Sequence, residues 1–220
     1  MRIPLFPTDT MTPAQRQVYD KIVQGPRGRL VGPLRVSLHR PDLADAWQHF
    51  GQLLRFDTSL PRHLNELAII VTARRWNAQV EWYVHAPAAV AAGIEPAVVE
   101  AIRTGRPPEF TDPDCADVYE FARLLQQHGD VPDDLYSALL RRWGPVGMVD
   151  LSSVIGYYTL VSMTLNVHEV PVPDGAPAPL PPLGRAGDGL PGLPPCRRTG
   201  GPATGAAKPV EPATGSGKPC

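Results

Sequence analysis

The chain has 220 residues, 21 basic and 22 acidic side chains, a net charge of −1 and 43% hydrophobic residues. Acids and bases are interspersed, which excludes a nucleic-acid surface and a polybasic membrane patch. The three cysteines, Cys115, Cys196 and Cys220, include no Cys-x-x-Cys pair, which excludes a disulfide scaffold and an all-cysteine zinc site.

The start, Met1-Arg2-Ile3-Pro4, lacks the apolar core of a secretory signal, and a cytoplasmic location is expected. Thr12-Pro13-Ala14-Gln15 sets a cap, a first-turn proline and a capping-box glutamine in order, so a first helix follows with Val18, Ile22 and Val23 at helical spacing. A second helix is predicted over about Pro41–Leu54, with Leu43, Trp47, Phe50 and Leu54 as its inner stripe. Ser59 can cap a third, Pro61 to about Trp76. A fourth starts at Asn77 and ends near Gly93, with Pro87 expected to kink or restart it just after His85.

Further helices are predicted over about Pro96–Thr104, Pro113–Gln127 (capped by Asp112), Pro132–Trp143 and Pro145–Val167. The stretch Val146–Val167 is apolar but holds Asp150, Asn166, Gly147 and Gly156, which fits a buried helix rather than a membrane span. With no period-two strand, the fold class is all-α, a bundle of about eight helices.

Residues 171–220 carry 13 of the 27 prolines and 10 of the 20 glycines. Such a composition does not bury enough apolar surface to offset the entropy of ordering it. The expected organisation is a helical domain over residues 1–175 and a disordered Pro/Gly-rich tail over 176–220. Within the tail, Pro202–Pro209 recurs in similar form as Pro212–Pro219, a low-complexity repeat.

The chemistry concentrates between Glu66 and His85. Glu81 and His85 are four residues apart, on one face of a helix, in a stretch that also holds Val80, Trp82, Tyr83 and Val84. An imidazole is the usual proton shuttle near neutral pH, and Glu81 can orient it or exchange a proton with it. Glu66 reaches the same point if the third and fourth helices pack antiparallel across Asn77. Two other readings stand beside this one. A Glu and a His at this spacing also form an ordinary surface pair, and Glu66, Glu81 and His85 also make an oxygen-and-nitrogen metal set. Trp76 and Trp82 are core or substrate platform. One of Arg74 and Arg75 is solvated, while the other pairs with an acid or an anionic ligand. Cys115, near a helix start, reads as a small core residue, and His168 as a cation at a helix C-terminus.

The run Glu66-Leu67-Ala68-Ile69, Ala73-Arg74-Arg75-Trp76-Asn77, Glu81-Trp82-Tyr83-Val84-His85 and Ala92-Gly93-Ile94 resembles the carboxymuconolactone decarboxylase family, which includes the alkylhydroperoxidase D-like proteins. The resemblance begins near Thr12, takes in Gly32-Pro33 and Arg40-Pro41-Asp42-Leu43, and ends with Gly156-Tyr157-Tyr158 through Asn166 and Val170-Pro171-Val172-Pro173. The peroxidase branch of that family carries Glu-x11-Cys-x2-Cys-x3-His. Here the glutamate and histidine positions are Glu66 and His85, and the two cysteine positions hold Ala78 and Glu81. Thiolate chemistry needs a thiol, so the resemblance implies the fold and argues against the redox activity.

The decarboxylase branch acts without a cofactor on a small carboxylated lactone. What the resemblance implies here is a cofactor-independent lyase or isomerase acting on a small organic acid or lactone. His85 would be the general acid or base, Glu81 its partner and Glu66 the residue that orients it, with Arg74 and Trp82 binding substrate. It implies a homo-oligomer, a trimer or hexamer, with sites near subunit contacts, and neither nucleic acid nor membrane as partner. The alternatives are a thiol-dependent peroxidase, a non-catalytic oligomeric binding protein and a metal-dependent enzyme.

Overall fold

The computed structural model describes residues 1–182 and 190–191. Among these, eight α-helices and two short 3-10 turns form the architecture, with no strand: α1 (Pro13–Gln24), α2 (Leu34–Ser37), α3 (Pro41–Phe56), α4 (Arg62–Arg75), α5 (Gln79–Ala92), α6 (Pro96–Thr104), α7 (Pro113–His128) and α8 (Asp133–Val167).

The centre of the bundle is α4. Every residue from Leu64 to Arg74 is buried, so this helix has no solvent face, and α5, α7 and α8 pack around it. Its entry is pinned from outside. The Ser59 backbone N–H and hydroxyl both donate to Asp150 Oδ2 of α8, at 2.7 and 2.6 Å, and Asn65 Nδ2 donates to the Leu54 carbonyl at the end of α3. Ser59 therefore serves as a link to α8 and not as the expected cap; the N-cap position is Pro61, which has no capping side chain.

The reversal between α4 and α5 fixes how the two helices face each other. Asn77 adopts φ +50, a left-handed geometry that asparagine tolerates better than most residues. Arg74 Nη1 donates to Asn77 Oδ1 at 2.8 Å, Ala78 N–H donates to the Ala73 carbonyl, and Asn166 of α8 donates to the Trp76 carbonyl. The antiparallel hairpin predicted across Asn77 is thus held at three points. Helix α5 then runs without interruption from Gln79 to Ala92 and continues through Pro87. The expected restart after His85 does not occur. Pro87 and Tyr83 both lie on the exposed face, where water can satisfy the Tyr83 carbonyl that the proline leaves without its partner.

The capping box at Thr12 forms as predicted, with both of its hydrogen bonds present. Asp112 caps α7 through the Asp114 N–H, and Gly93, Gly105 and Gly129 close their helices in left-handed geometry. The two predicted C-terminal helices meet in α8, whose path breaks at Gly144 (φ +63, ψ −176) between Trp143 and Pro145. By length and composition α8 could cross a membrane, but half of its most apolar window is buried inside the protein, as in a core helix.

In α3 the buried stripe is Ala44, Trp47, Gln48, Gly51 and Leu54, whereas Leu43 and Phe50 are exposed. Two of the four predicted inner residues, Trp47 and Leu54, do face inward. The other two give way to Ala44, Gln48 and Gly51, because Gly51 admits the Tyr157 ring of α8 against the α3 backbone.

Past the predicted boundary at residue 175, the described chain packs on the bundle. Leu180 and Leu190 join the core. The Gln79 side chain donates to the Leu180 carbonyl and accepts from its N–H, at 3.1 and 2.8 Å. Arg103 donates to the Pro179 carbonyl, and the Tyr119 hydroxyl donates to that of Pro191. The repeat at 202–219, Cys196 and Cys220 lie outside the described residues.

Candidate active site

Glu66 projects from the middle of α4, Glu81 from the first turn of α5, and His85 from the next turn of α5. The hairpin brings all three together. His85 Nδ1 lies 2.8 Å from Glu66 Oε2, and His85 Nε2 lies 3.4 Å from Glu81 Oε2. None is more than 5% exposed, so the surface-pair reading does not hold. The three make a line, carboxylate–imidazole–carboxylate, with one acid at each ring nitrogen. Because the carboxylates address opposite sides of the ring, their oxygens and a ring nitrogen do not converge on a single ion, and the trio does not make the metal set considered from sequence.

Glu81 and His85 line a small cavity of about 30 Å³, together with Arg27, Gly32, Arg55, Tyr157 and Tyr158. A volume of that order holds one or two waters. Glu66 stands behind His85 and is not part of the lining. Gly32, at φ +56, brings the loop backbone close to Glu81; a Cβ there would lie 3.6 Å from Oε1. Tyr158 presents its ring edge-on to His85, with centroids 5.0 Å apart, and Tyr157 stacks edge-on against Tyr158.

Burial pushes the Glu81 carboxyl above the usual carboxylate range, an effect opposed by the nearby positive charges of His85, Arg55 and Arg27. A protonated Glu81 can donate to His85 Nε2, while Glu66 Oε2 lies within hydrogen-bond distance of Nδ1 on the far side of the ring. The site can therefore hold one proton on either side of Nε2 and pass it outward. Burial and the neighbouring Glu81 also hold the Tyr158 hydroxyl well above its ordinary range, so it stays protonated.

Arg27 and Arg55 supply positive charge at the cavity. The Arg27 guanidinium lies against the Tyr157 hydroxyl, and its buried Nε and Nη2 have no carboxylate or carbonyl partner among the described residues. A neutral hydroxyl leaves a buried guanidinium without a counter-charge, and an anion in the cavity would supply one. Neither arginine was singled out from the sequence. Arg27 sits in Gly25-Pro26-Arg27-Gly28-Arg29, which reads as a solvated loop, and Arg55 ends a helix where a basic residue is ordinary. Tyr157 and Tyr158 did carry a signal, as part of the Gly156-Tyr157-Tyr158 segment.

The two predicted substrate-binding residues lie elsewhere. Arg74 is fully buried at the end of α4, bonded to Asn77, and does not line the cavity. Burial, with Arg103 nearby, lowers its pKa to about 10. Trp82 faces the core and is also absent from the lining. Among the lining residues there is no cysteine. Ala78, at one of the two cysteine positions of the peroxidase motif, is buried. Cys115 sits in a separate cavity beside His63 and Asp112, where burial and Asp112 push its thiol up to about 12.

No family model and no curated protein matches the chain. Solved structures do. The AhpD-core, peroxidase-related protein from Ralstonia eutropha JMP134 superposes with a TM-score of 0.63 at 15% identity, over 79% of this chain and 92% of that one. A peroxidase-related protein from Silicibacter sp. TM1040 gives 0.61 at 12% identity, over 76% and 89%. The debrominase Bmp8, solved in complex with 2,3,4-tribromopyrrole, gives 0.61 at 13% identity, over 80% and 92%. At these identities the likeness is one of fold, and the chain has the AhpD-like all-helical fold.

Proposed function

We propose that this AhpD-like chain is a cofactor-independent lyase or isomerase acting on a small organic acid or lactone. The observation that carries the reading is the buried Glu66–His85–Glu81 line opening on a cavity without a thiol; at about 30 Å³ that cavity is smaller than a lactone, so in this reading the loop bearing Arg27 and Gly32 moves aside to admit substrate. In this reading His85, at Nε2, gives or takes the proton at the reacting carbon, and Glu81 exchanges it. Glu66 fixes the ring through Nδ1 and balances the imidazolium as it forms. Arg27 and Arg55 replace Arg74 as the groups that hold the substrate's carboxylate and stabilise developing negative charge. That three proteins of the same fold include a debrominase supports catalysis in general and not this reaction in particular.

A working oligomer is part of the proposal. Exposed Val146, Val149, Leu160, Met163 and Val167 run along α8, and exposed Phe50, Leu53 and Phe56 lie on neighbouring α3, an apolar surface suited to subunit contact. A location in the cytoplasm belongs to the same proposal. The thiol-peroxidase reading finds no support in the cavity lining.

The test is turnover of carboxylated lactones and related acids by the wild-type chain, His85→Gln and Glu81→Gln. Turnover that disappears with His85→Gln supports the assignment. Turnover that survives both substitutions overturns it.

A further inference from the structure

A second group of reactive side chains lies apart from the His85 cavity. His63 stands in the first turn of α4, Asp112 caps α7, and Cys115 follows in the first turn of α7. Their donor atoms all lie within 4.8 Å of one another. His63 Nε2 is 3.6 Å from Asp112 Oδ2, and Cys115 Sγ is 3.4 Å from the same oxygen. They share a cavity of about 210 Å³ with Glu95, Phe110 and Thr111, and no residue of its lining also lines the His85 cavity.

We propose that His63, Asp112 and Cys115 form a binding site for a zinc-class divalent metal ion. The distances are those a tetrahedral ion asks for. With bonds of about 2.3 Å to sulfur and about 2.0 Å to nitrogen or oxygen, adjacent donors sit about 3.3–3.5 Å apart. Two edges of such a tetrahedron are already close to that length, and the third closes by side-chain rotation. One nitrogen, one oxygen and one sulfur donor suit zinc and its neighbours and do not suit magnesium or calcium, which take oxygen.

The electrostatics agree. Asp112, Asp114 and Glu95 raise the negative potential at the Cys115 sulfur. Arg142 of α8, the cation paired with Asp114, is also held by Asp117. On binding, the Cys115 S–H bond breaks, its proton leaves to solvent, and the sulfur lone pair forms the bond to the metal. The hydrogen bond from Cys115 to Asp112 is replaced by the ion between them. Thiolate and carboxylate together balance the ion's two positive charges. The fourth position faces the cavity, open to water or to the Glu95 carboxylate, whose Oε1 now accepts from the Thr111 hydroxyl.

The experiment uses the full chain with Cys196→Ser and Cys220→Ser, so that Cys115 is the remaining thiol. Cobalt(II) and zinc(II) are titrated in turn. The expected result is one equivalent bound, a thiolate-to-cobalt charge-transfer band in the near ultraviolet, loss of that band in Cys115→Ser, and zinc affinity at least tenfold weaker in His63→Ala. Asp112→Asn, which keeps a capping oxygen, should also weaken zinc at least tenfold while leaving the helix content unchanged. Glu81→Gln should bind zinc like the parent. Absence of the cobalt band, unchanged zinc affinity in His63→Ala and Asp112→Asn, or loss of binding in Glu81→Gln would each overturn the proposal.

Discussion

Glu66 and His85 are 19 residues apart in sequence and 2.8 Å apart in space, and both are almost sealed from solvent. The contact spans the two arms of the α4–α5 hairpin, so it exists only when the Asn77 turn has closed. A carboxylate at Nδ1 selects the imidazole tautomer that leaves Nε2 facing the cavity. Glu66→Gln keeps the shape and removes the charge. The expected outcome is a fall in kcat with KM little changed, together with a shifted pH–rate profile. His85→Gln should cost about 10²–10⁴ in kcat, the usual worth of a general acid or base. Steady-state kinetics across pH on a turned-over substrate separates the two.

Glu81 makes stability depend on pH in a specified direction. Its carboxyl is raised above the ordinary value of 4.5 in the folded chain. The folded state therefore binds its proton more tightly than the unfolded state does. The stabilisation this brings is complete below the ordinary value and is lost as pH rises through the raised one. Glu81→Gln has no such loss. The Tm of wild type relative to Glu81→Gln should fall as pH is raised from about 4.5, read by thermal unfolding in a pH series. A difference that stays flat, or grows in favour of wild type at higher pH, contradicts the assignment of Glu81 as the raised acid.

Gly51 is where α3 gives way to the site. A Cβ at this position would fall on the ring and hydroxyl of Tyr157 and lie 2.6 Å from Arg27 Nη2. Gly51→Ala should cost about 1–3 kcal/mol, as overpacking of a filled interior does. It should also displace two cavity-lining residues and so depress turnover beyond what the stability loss explains. Denaturant unfolding and kinetics on the same preparation test both halves.

Part of the described chain beyond residue 175 is built into the core. Leu180 is 4% exposed and belongs to the core. Leu180→Ala in the full chain should destabilise by about 2 kcal/mol or more. Gln79→Ala removes the two hydrogen bonds to Leu180 and should cost about 1–2 kcal/mol. Since the residues touch, the double variant should cost less than the sum of the singles.

Much of the fold was legible because its local signals are strong. Thr12 with Gln15, Asp112 before Pro113, and the closing glycines at 93, 105 and 129 each mark a helix end by a mechanism that acts within a few residues. The Glu81–His85 pairing was legible for the same reason, since one turn of helix determines it. What escaped prediction depends on tertiary packing. The inward face of α3 follows from Tyr157 approaching Gly51 over a sequence distance that no periodicity records. Arg27 belongs to the site only because its loop folds over α5. Arg74 was drawn into the site by its place in the motif, but the Asn77 turn claims its side chain. In the C-terminal segment, average composition hid two leucines whose burial depends on where the chain passes over α5 and α7.

The grip of Gln79 on both backbone groups of Leu180 ties the chain after α8 to the foot of the helix that bears Glu81 and His85, and Tyr119 of α7 holds it again at Pro191. A force applied through the C-terminal end, by an immobilising support or a fused domain, meets α7 at Pro191 and the first turn of α5 at Leu180 before it reaches α8. An attachment at the N-terminus delivers its load elsewhere, through Arg2 to the end of α8, where it meets His168 and Glu169.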